Sequence, residues 1–178
     1  CKTLKGEGEN VGKLVEKGKS QFAGPEILGK TLGVVGLGAI GRLVAVAANN
    51  LGMKIVGYDP YFNEAFKGEL PADTEYVDSL DAIYEKADYI TLHLPCTKDT
   101  KGMINAETIA KMKDAVRILN FARGELVVGA DMAEAVKAGK VAAYVTDFPS
   151  DEVIGVENVT ALPHLGASTP ESEENCAY

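Results

Sequence analysis

Residues 30–59 constrain the fold of this chain more than any other segment. A short apolar run at residues 32–35, rich in β-branched side chains, predicts a buried strand, and the sequence GLGAIG follows it at residues 36–41. Apolar residues then recur at helical spacing, at Leu43, Val46, Ala47 and Leu51, before Gly52. A second apolar run at residues 55–58 ends at Asp59. The segment therefore predicts a strand–helix–strand unit with a glycine-rich turn after its first strand.

Each glycine of this turn has a separate physical role. Gly36 makes the tight turn, Gly38 leaves room for a pyrophosphate to approach the backbone, and Gly41 lets the helix lie close to the strand. The N–H groups and dipole of the helix N-terminus attract anions. Asp59 lies about 20 residues further on, where a carboxylate accepts hydrogen bonds from an adenosine ribose and repels a 2′-phosphate. Together these features predict a dinucleotide site rather than an unrelated glycine-rich turn.

The composition indicates one acidic domain. A chain of 178 residues can bury one well-packed core, and a formal net charge of −8 argues against a nucleic-acid or anionic-membrane surface, since both need clustered Lys and Arg. No apolar run has the length of a membrane span and no signal peptide opens the sequence, so we expect a soluble, cytoplasmic protein. The three cysteines, Cys1, Cys96 and Cys176, form no CxxC pair, which predicts neither a disulfide framework nor a metal site.

The two ends of the sequence suggest one domain of a larger protein. Position 1 is not Met, and Ser168, followed by Pro170 and Glu171, predicts the capped start of a helix with few residues left to complete it. Residues 1–24 are rich in Lys, Glu and Gly, and we interpret them as a connector or partial helix. Residues 25–178 are predicted to form the domain.

Strand and helix patterns alternate along the rest of the chain. Strands are predicted at residues 76–77, 89–95, 116–121, 141–146 and 159–162, and helices at 79–86, 105–112 and 129–138, with a loop at 61–74. This alternation predicts an α/β fold with a doubly wound, mostly parallel sheet of the Rossmann type. Ligands bind such sheets outside the carboxyl ends of the strands, so the chemistry should be sought there.

Three side chains near these strand ends have chemistry of interest. Arg123 can hold a carboxylate with two parallel hydrogen bonds, which suits a 2-hydroxy or 2-oxo acid, although a solvated loop arginine is an equally good interpretation. His164 can take a hydroxyl proton as hydride leaves the same carbon. His93 lies between two leucines, and we interpret it as a packed or cofactor-flanking residue rather than as a base.

The ordered motifs GVVGLGAIGR, VGYDPY, TLHLPCTKDTKGMIN, LNFARGELV, TDFP and LPHLGAST resemble the cofactor domain of the D-isomer-specific 2-hydroxyacid dehydrogenases. Within this family, PHLGAST is most similar to the D-3-phosphoglycerate dehydrogenases of serine biosynthesis. The resemblance implies NAD as cofactor, a D-2-hydroxy acid as substrate, and Arg123 and His164 as members of a catalytic Arg, Glu and His set. It also implies a cleft shared with a substrate domain that this chain lacks, and a homodimer formed through the cofactor domain.

The same resemblance assigns the cofactor contacts. They are expected at the glycine turn, after the following strands and around the last histidine, at Gly36, Gly38, Ala39, Ile40, Gly41, Asp59, His93, Leu94, Pro95, Thr100, Phe121, Ala122, Arg123, Asp147, His164, Gly166 and Ala167.

The glutamate of the catalytic set can be placed in two ways. Counting without gaps from the catalytic arginine puts Asp147 on the family's nicotinamide-contacting Asp and Glu152 on its catalytic Glu. Aligning on the Phe-Pro pair of TDFP puts Thr146 and Asp151 there instead. We prefer the first register because it keeps a carboxylate at both positions, and it predicts that Glu152 orients the imidazole. The segment between Glu152 and the histidine is shorter than is usual in the family.

Two other functions are compatible with a strand–helix–strand unit of this kind. A non-catalytic NAD-sensing module, like the transcriptional corepressors of this fold, would have no chemical need for the Arg, carboxylate and His set. A methyltransferase of similar topology would bind S-adenosylmethionine and would need neither a complete GxGxxG nor His164. Retention of all three side-chain types favours the dehydrogenase.

Overall fold

The computed structural model describes residues 4–176, and they form a seven-stranded sheet in which every pairing is parallel. The strands are β1 Thr31–Val35, β2 Lys54–Tyr58, β3 Glu75–Tyr76, β4 Tyr89–Leu92, β5 Val116–Asn120, β6 Val141–Thr146 and β7 Val159–Ala161. The α-helices are α1 Val11–Gly18, α2 Ala39–Asn50, α3 Leu80–Lys86, α4 Ala106–Lys111, α5 Gly129–Lys137 and α6 Pro170–Cys176, with short 3₁₀ segments at Gly8–Asn10, Lys19–Phe22, Glu64–Glu69 and Gly124–Leu126. The predicted Rossmann-type fold is confirmed.

The strand order is β3-β2-β1-β4-β5-β6-β7, so it reverses between β1 and β4. At the carboxyl end of β1, Val35 lies opposite Tyr58 of β2 and Leu92 of β4. Strand β2 pairs with one side of β1, and β4 pairs with the other. The segments after β1 and β4 therefore diverge, which opens a crevice at this edge.

Two apolar clusters, one on each face of the sheet, form the core. Val34 and Val35 are neighbours on β1, yet Val34 packs in the cluster that includes Ala45 of α2, whereas Val35 packs in the cluster that includes Ile83 of α3 and Met132 of α5. Helix α1 contributes no buried residue, which agrees with a connector. The domain boundary at residue 24 stays a prediction.

The face of α2 that packs on the sheet differs from the one that the apolar spacing suggests. Leu43 and Leu51 are 71% and 62% exposed, whereas the buried residues of α2 are Gly41, Ala45 and Ala48. Small side chains face the strands because the helix lies very close to them. The spacing thus predicted a helix correctly but not its buried face.

Two element ends also differ from the sequence prediction. Strand β4 ends at Leu92, three residues before the predicted end at Pro95; the His93 N–H still donates to the Val35 carbonyl oxygen of β1, at 2.8 Å, and the chain then leaves the sheet. Helix α6 is capped by Thr169 rather than by Ser168: the Thr169 hydroxyl accepts a hydrogen bond from the Ser172 N–H at 3.1 Å, while Ser168 N–H donates back into the preceding turn. The fixed φ of proline at the first helical position places the cap one residue later.

We expect Gly41→Ala to destabilise the domain by about 3 kcal/mol or more, since overpacking against a rigid backbone is not relieved by rotamer changes. A Cβ at Gly41 would lie 1.9 Å from the Gly36 carbonyl oxygen. Gly68→Ala is the matched control, because a Cβ there meets no heavy atom within 4 Å. Urea unfolding monitored by circular dichroism measures both variants. Wild-type stability in Gly41→Ala would show that α2 does not depend on this contact.

Candidate active site

A cleft of about 440 Å³ opens at the carboxyl edge of the sheet, beside the reversal in strand order. Its walls are the first turn of α2 and the segments that follow β4 and β5. The lining residues are Ile40, His93, Leu94, Pro95, Cys96, Phe121, Ala122, Arg123 and Glu125. All but Cys96 and Glu125 are among the predicted site residues. Sequence reasoning missed these two because nothing in their local pattern distinguishes them from ordinary loop residues.

The glycine turn presents open backbone at the start of α2. Gly36 has a φ of +97°, and a Cβ there would lie 2.7 Å from the His93 carbonyl oxygen, so the turn requires glycine. A Cβ at Gly38, in contrast, would meet no heavy atom within 4 Å. No described side chain caps α2 at Gly38, so the N–H groups of its first turn, from Ala39 onward, remain available to an anion. The open space and the available donors fit a pyrophosphate.

The Asp59 carboxylate lies at the end of β2, where a residue that accepts hydrogen bonds from the adenosine ribose is expected. Its Oδ2 accepts a hydrogen bond from the Leu37 N–H and its Oδ1 accepts one from the Tyr61 N–H, both at 2.9 Å. Both carboxylate oxygens are thereby fixed by backbone donors. The glycine turn and the end of β2 form one connected structure.

Arg123 is presented by a loop that a buried side chain holds in place. Asn120, at the end of β5, is fully buried; its Nδ2 donates to the Arg123 carbonyl oxygen at 2.9 Å and its Oδ1 accepts from the Ala122 N–H at 3.2 Å. The Arg123 guanidinium donates to the Ala122 carbonyl oxygen at 2.7 Å and lies 5.8 Å from the centre of the Phe148 ring. The remaining donors of the guanidinium can bind a carboxylate.

His164 and Asp147 form a hydrogen-bonded pair. Strands β6 and β7 are neighbours, with Thr146 opposite Ala161, so the residues after these strands lie side by side. His164 Nδ1 is 2.7 Å from Asp147 Oδ2, and the Phe148 ring packs 4.2 Å from the imidazole centre. A carboxylate accepts but does not donate, so Nδ1 carries the proton of this bond and Nε2 is left for another partner.

The other oxygen of Asp147 is also informative. The side chain is only 10% exposed, and its Oδ1 is buried without a hydrogen-bond partner among the described residues. Buried acceptors are normally satisfied, so this oxygen favours a donor from a bound molecule. The imidazole of His164, in contrast, is 48% exposed and accessible from solvent.

The structure gives His164 a different partner from the one predicted. A hydrogen bond from Ser150 lowers the pKa of Glu152, and Glu152 Oε2 lies 3.0 Å from the position of a Cβ built on Gly129, at the start of α5. Val153, 2% exposed, anchors the turn that carries Glu152 in the core. This anchor directs Glu152 toward α5, so Asp147 rather than Glu152 or Asp151 holds the imidazole.

The remaining predicted residues differ in their relation to the cleft. His93 Nε2 lies 3.0 Å from the Thr91 hydroxyl, and burial lowers the pKa of His93, which favours its neutral form. Thr100 does not line the cleft; its hydroxyl donates to the Pro95 carbonyl oxygen at 2.7 Å and stiffens the turn after β4. Gly166 and Ala167 lie exposed between β7 and α6. Their cofactor contacts stay a prediction.

Comparisons with known proteins identify relatives of this chain. The family model for the NAD binding domain of the D-isomer specific 2-hydroxyacid dehydrogenases matches residues 6–166. The chain is 44% identical over 164 residues to a hydroxypyruvate reductase of Thermotoga maritima, a match that covers 87% of the chain and 52% of the relative. It is 41% identical over 165 residues to a D-3-phosphoglycerate dehydrogenase of Synechocystis, covering 89% of the chain and 29% of the relative.

Among solved structures, the chain is similar to the NAD complexed form of a D-isomer specific 2-hydroxyacid dehydrogenase from Lactobacillus delbrueckii ssp. bulgaricus. The TM-score is 0.77 at 27% identity, covering 88% of this chain and 53% of the other. The chain thus spans about half the length, or less, of the relatives it matches. No helix in residues 4–176 is long and apolar enough to cross a membrane. Since the family model matches most of the chain and the fold agrees, this chain belongs to the D-isomer specific 2-hydroxyacid dehydrogenase family, as its NAD-binding domain.

Proposed function

We propose that this chain supplies the cofactor site and the acid/base pair of an NAD-dependent oxidoreductase that oxidises D-3-phosphoglycerate, the first step of serine biosynthesis. The observation that carries this proposal is the His164–Asp147 pair, which lies at the same sheet edge as the glycine turn and Arg123. A sensor that only binds NAD would have no chemical use for an oriented imidazole beside a guanidinium. The pair therefore favours catalysis over the sensing module.

The residues present fit three groups of NAD: the pyrophosphate, the adenosine ribose and the nicotinamide carboxamide. The space at Gly38 and the amide groups that begin at Ala39 would hold the pyrophosphate, and Asp59 would hold the adenosine ribose. Asp147 Oδ1, buried and without a partner in the described chain, would accept a hydrogen bond from the nicotinamide carboxamide. When bound, NAD accepts the hydride that the hydroxy acid loses.

The chain's own side chains would orient the substrate and move its proton. The Arg123 guanidinium would bind the carboxylate through its free donors. His164, whose Nδ1 is held by Asp147, would present Nε2 to the C2 hydroxyl and take its proton. Asp147 would keep the ring in this tautomer and stabilise the imidazolium that forms.

The preference for D-3-phosphoglycerate rests on two observations. The motif PHLGAST resembles the D-3-phosphoglycerate dehydrogenases, and a protein of that name is among the relatives. A hydroxypyruvate reductase also matches, so other small acids of the same kind are the natural competitors. The proposal includes a substrate domain outside this chain, a homodimer and a cytoplasmic location.

Substrate assignment is tested with the full-length enzyme that contains this domain. We expect NADH formation from D-3-phosphoglycerate with a kcat/KM at least about tenfold above that for D-glycerate or D-lactate, because a matched anion site discriminates by 1.4 kcal/mol or more. The 178-residue chain alone should bind NADH without turnover, since one wall of the cleft is absent. A higher kcat/KM for D-glycerate would support the proposed type of reaction but would contradict D-3-phosphoglycerate as the substrate.

The acid/base assignment is tested by substitution in the same full-length enzyme. His164→Asn should lower kcat by roughly two to four orders of magnitude, and Asp147→Asn by roughly two or more, because the amide no longer fixes the tautomer or stabilises the imidazolium. Glu152→Gln is the matched control and should leave kcat within about threefold, since Glu152 faces α5. A large loss of kcat in Glu152→Gln, together with a wild-type kcat in Asp147→Asn, would show that Glu152 is the partner of His164, as predicted from the sequence.

The cofactor site is tested in the chain itself with Gly38→Ala. The added methyl enters the space assigned to the pyrophosphate, so we expect the Kd for NADH to rise by about tenfold or more. The free energy of unfolding should stay within about 1 kcal/mol of the wild type, because the methyl meets no protein atom within 4 Å. Calorimetric titration and urea unfolding give the two quantities. Unchanged NADH affinity would place the pyrophosphate elsewhere.

A further inference from the structure

Arg42 lies in the first turn of α2, and its guanidinium is engaged within the protein. Its Nε donates to Glu69 Oε2 at 2.8 Å, and its Nη1 donates to the Leu37 carbonyl oxygen at 3.0 Å. The Phe66 ring centre lies 4.1 Å from the guanidinium carbon. Only 13% of the side chain is exposed. Contacts along two edges and one face hold the group in a single geometry.

The Leu37 peptide connects Arg42 to Asp59. Its carbonyl oxygen accepts the hydrogen bond from Arg42, while its N–H donates to Asp59 Oδ2 at 2.9 Å. The Leu37 side chain is 2% exposed and packs against Gly57, where an added Cβ would come within 3.0 Å of it. The peptide groups on the two sides of Leu37 are therefore held by Asp59 and by Arg42, and a shift of Leu37 would move the Asp59 carboxylate.

Arg42 also fixes the segment that follows β2. Phe66 and Glu69 both belong to the 3₁₀ segment Glu64–Glu69. Asp59 Oδ1 accepts a hydrogen bond from the Tyr61 N–H at 2.9 Å. The chain that follows β2 is thus held by Asp59 at Tyr61 and by Arg42 at Phe66 and Glu69.

We propose that Arg42 is a positioning residue for the adenosine end of the cofactor. It holds the Leu37 peptide, and through it the Asp59 carboxylate, where a ribose is accepted and a 2′-phosphate is repelled. The guanidinium does not need to touch the cofactor. A free arginine at this place would attract a 2′-phosphate, but the Glu69 carboxylate pairs with the Arg42 guanidinium and the Leu37 carbonyl holds its Nη1, which weakens that attraction.

Arg42→Gln separates positioning from charge. It removes the cation, so direct attraction of a 2′-phosphate can only decrease, and the amide cannot contact Glu69, the Leu37 carbonyl and the Phe66 ring together. We expect the Kd for NADH to rise about fivefold, because the ribose loses a fixed acceptor, and the ratio Kd(NADPH)/Kd(NADH) to fall at least about threefold, because the phosphate loses a fixed repulsion. Calorimetric titration of the 178-residue chain with each cofactor measures both quantities.

Arg117→Gln is the matched control. Its guanidinium also lies over an aromatic ring, Tyr89 at 5.4 Å, but at the amino ends of β4 and β5. Both Kd values should stay within about twofold in this variant. Arg42→Met, which is also uncharged, is a second test, and it should lower the same ratio.

A ratio that stays within about twofold of the wild type or rises in Arg42→Gln overturns the proposal, whether or not NADH affinity changes, because a purely structural loss would weaken both cofactors equally and loss of the charge alone would raise the ratio. If Arg42→Gln does not fold, an unchanged ratio in Arg42→Met overturns the proposal. A wild-type chain that binds neither cofactor would contradict the cofactor site itself and the proposal with it.

Discussion

The close contact between the start of α2 and the end of β1 is the constraint on which the rest of this structure depends. Gly41 lies so near the Gly36 carbonyl oxygen that no side chain fits between them. Because the helix begins this close to the strand, its free N–H groups lie at the edge where β1 and β4 diverge. The dipole and donors of the helix are thereby brought to the same edge as Asp59 and Arg123.

Buried polar side chains at the ends of the strands hold the loops that carry the candidate site residues. Asn120 holds the loop that presents Arg123, and the Thr146 hydroxyl accepts a hydrogen bond from the Phe148 N–H at 3.1 Å, across Asp147. Both supporting residues are fully buried at the ends of adjacent strands. The loops at this edge of the sheet are therefore preorganised for a ligand.

The fold and half of the site follow from local patterns, and the rest depends on tertiary packing. GLGAIG and the place of Asp59 after β2 could be predicted because both signals lie within one strand–helix–strand unit, and the parallel sheet followed from the alternation of strand and helix patterns. The partner of His164 was not, because the count from the arginine cannot reveal that the buried Val153 turns Glu152 toward α5 while strand pairing brings Asp147 to the ring. Arg42 gave no signal either, since its partner Glu69 lies beyond β2 in a segment that reads only as a loop.

The central claim is that the cofactor lies along this one edge, from Asp59 across Gly38 to Asp147. A crystal structure of the chain with NADH tests it most directly. We predict the pyrophosphate on the N–H groups at the start of α2, the adenosine ribose on Asp59, the carboxamide on Asp147 Oδ1 and the His164–Asp147 bond retained. A pyrophosphate away from Gly38, or His164 paired with Glu152 in the complex, would contradict it.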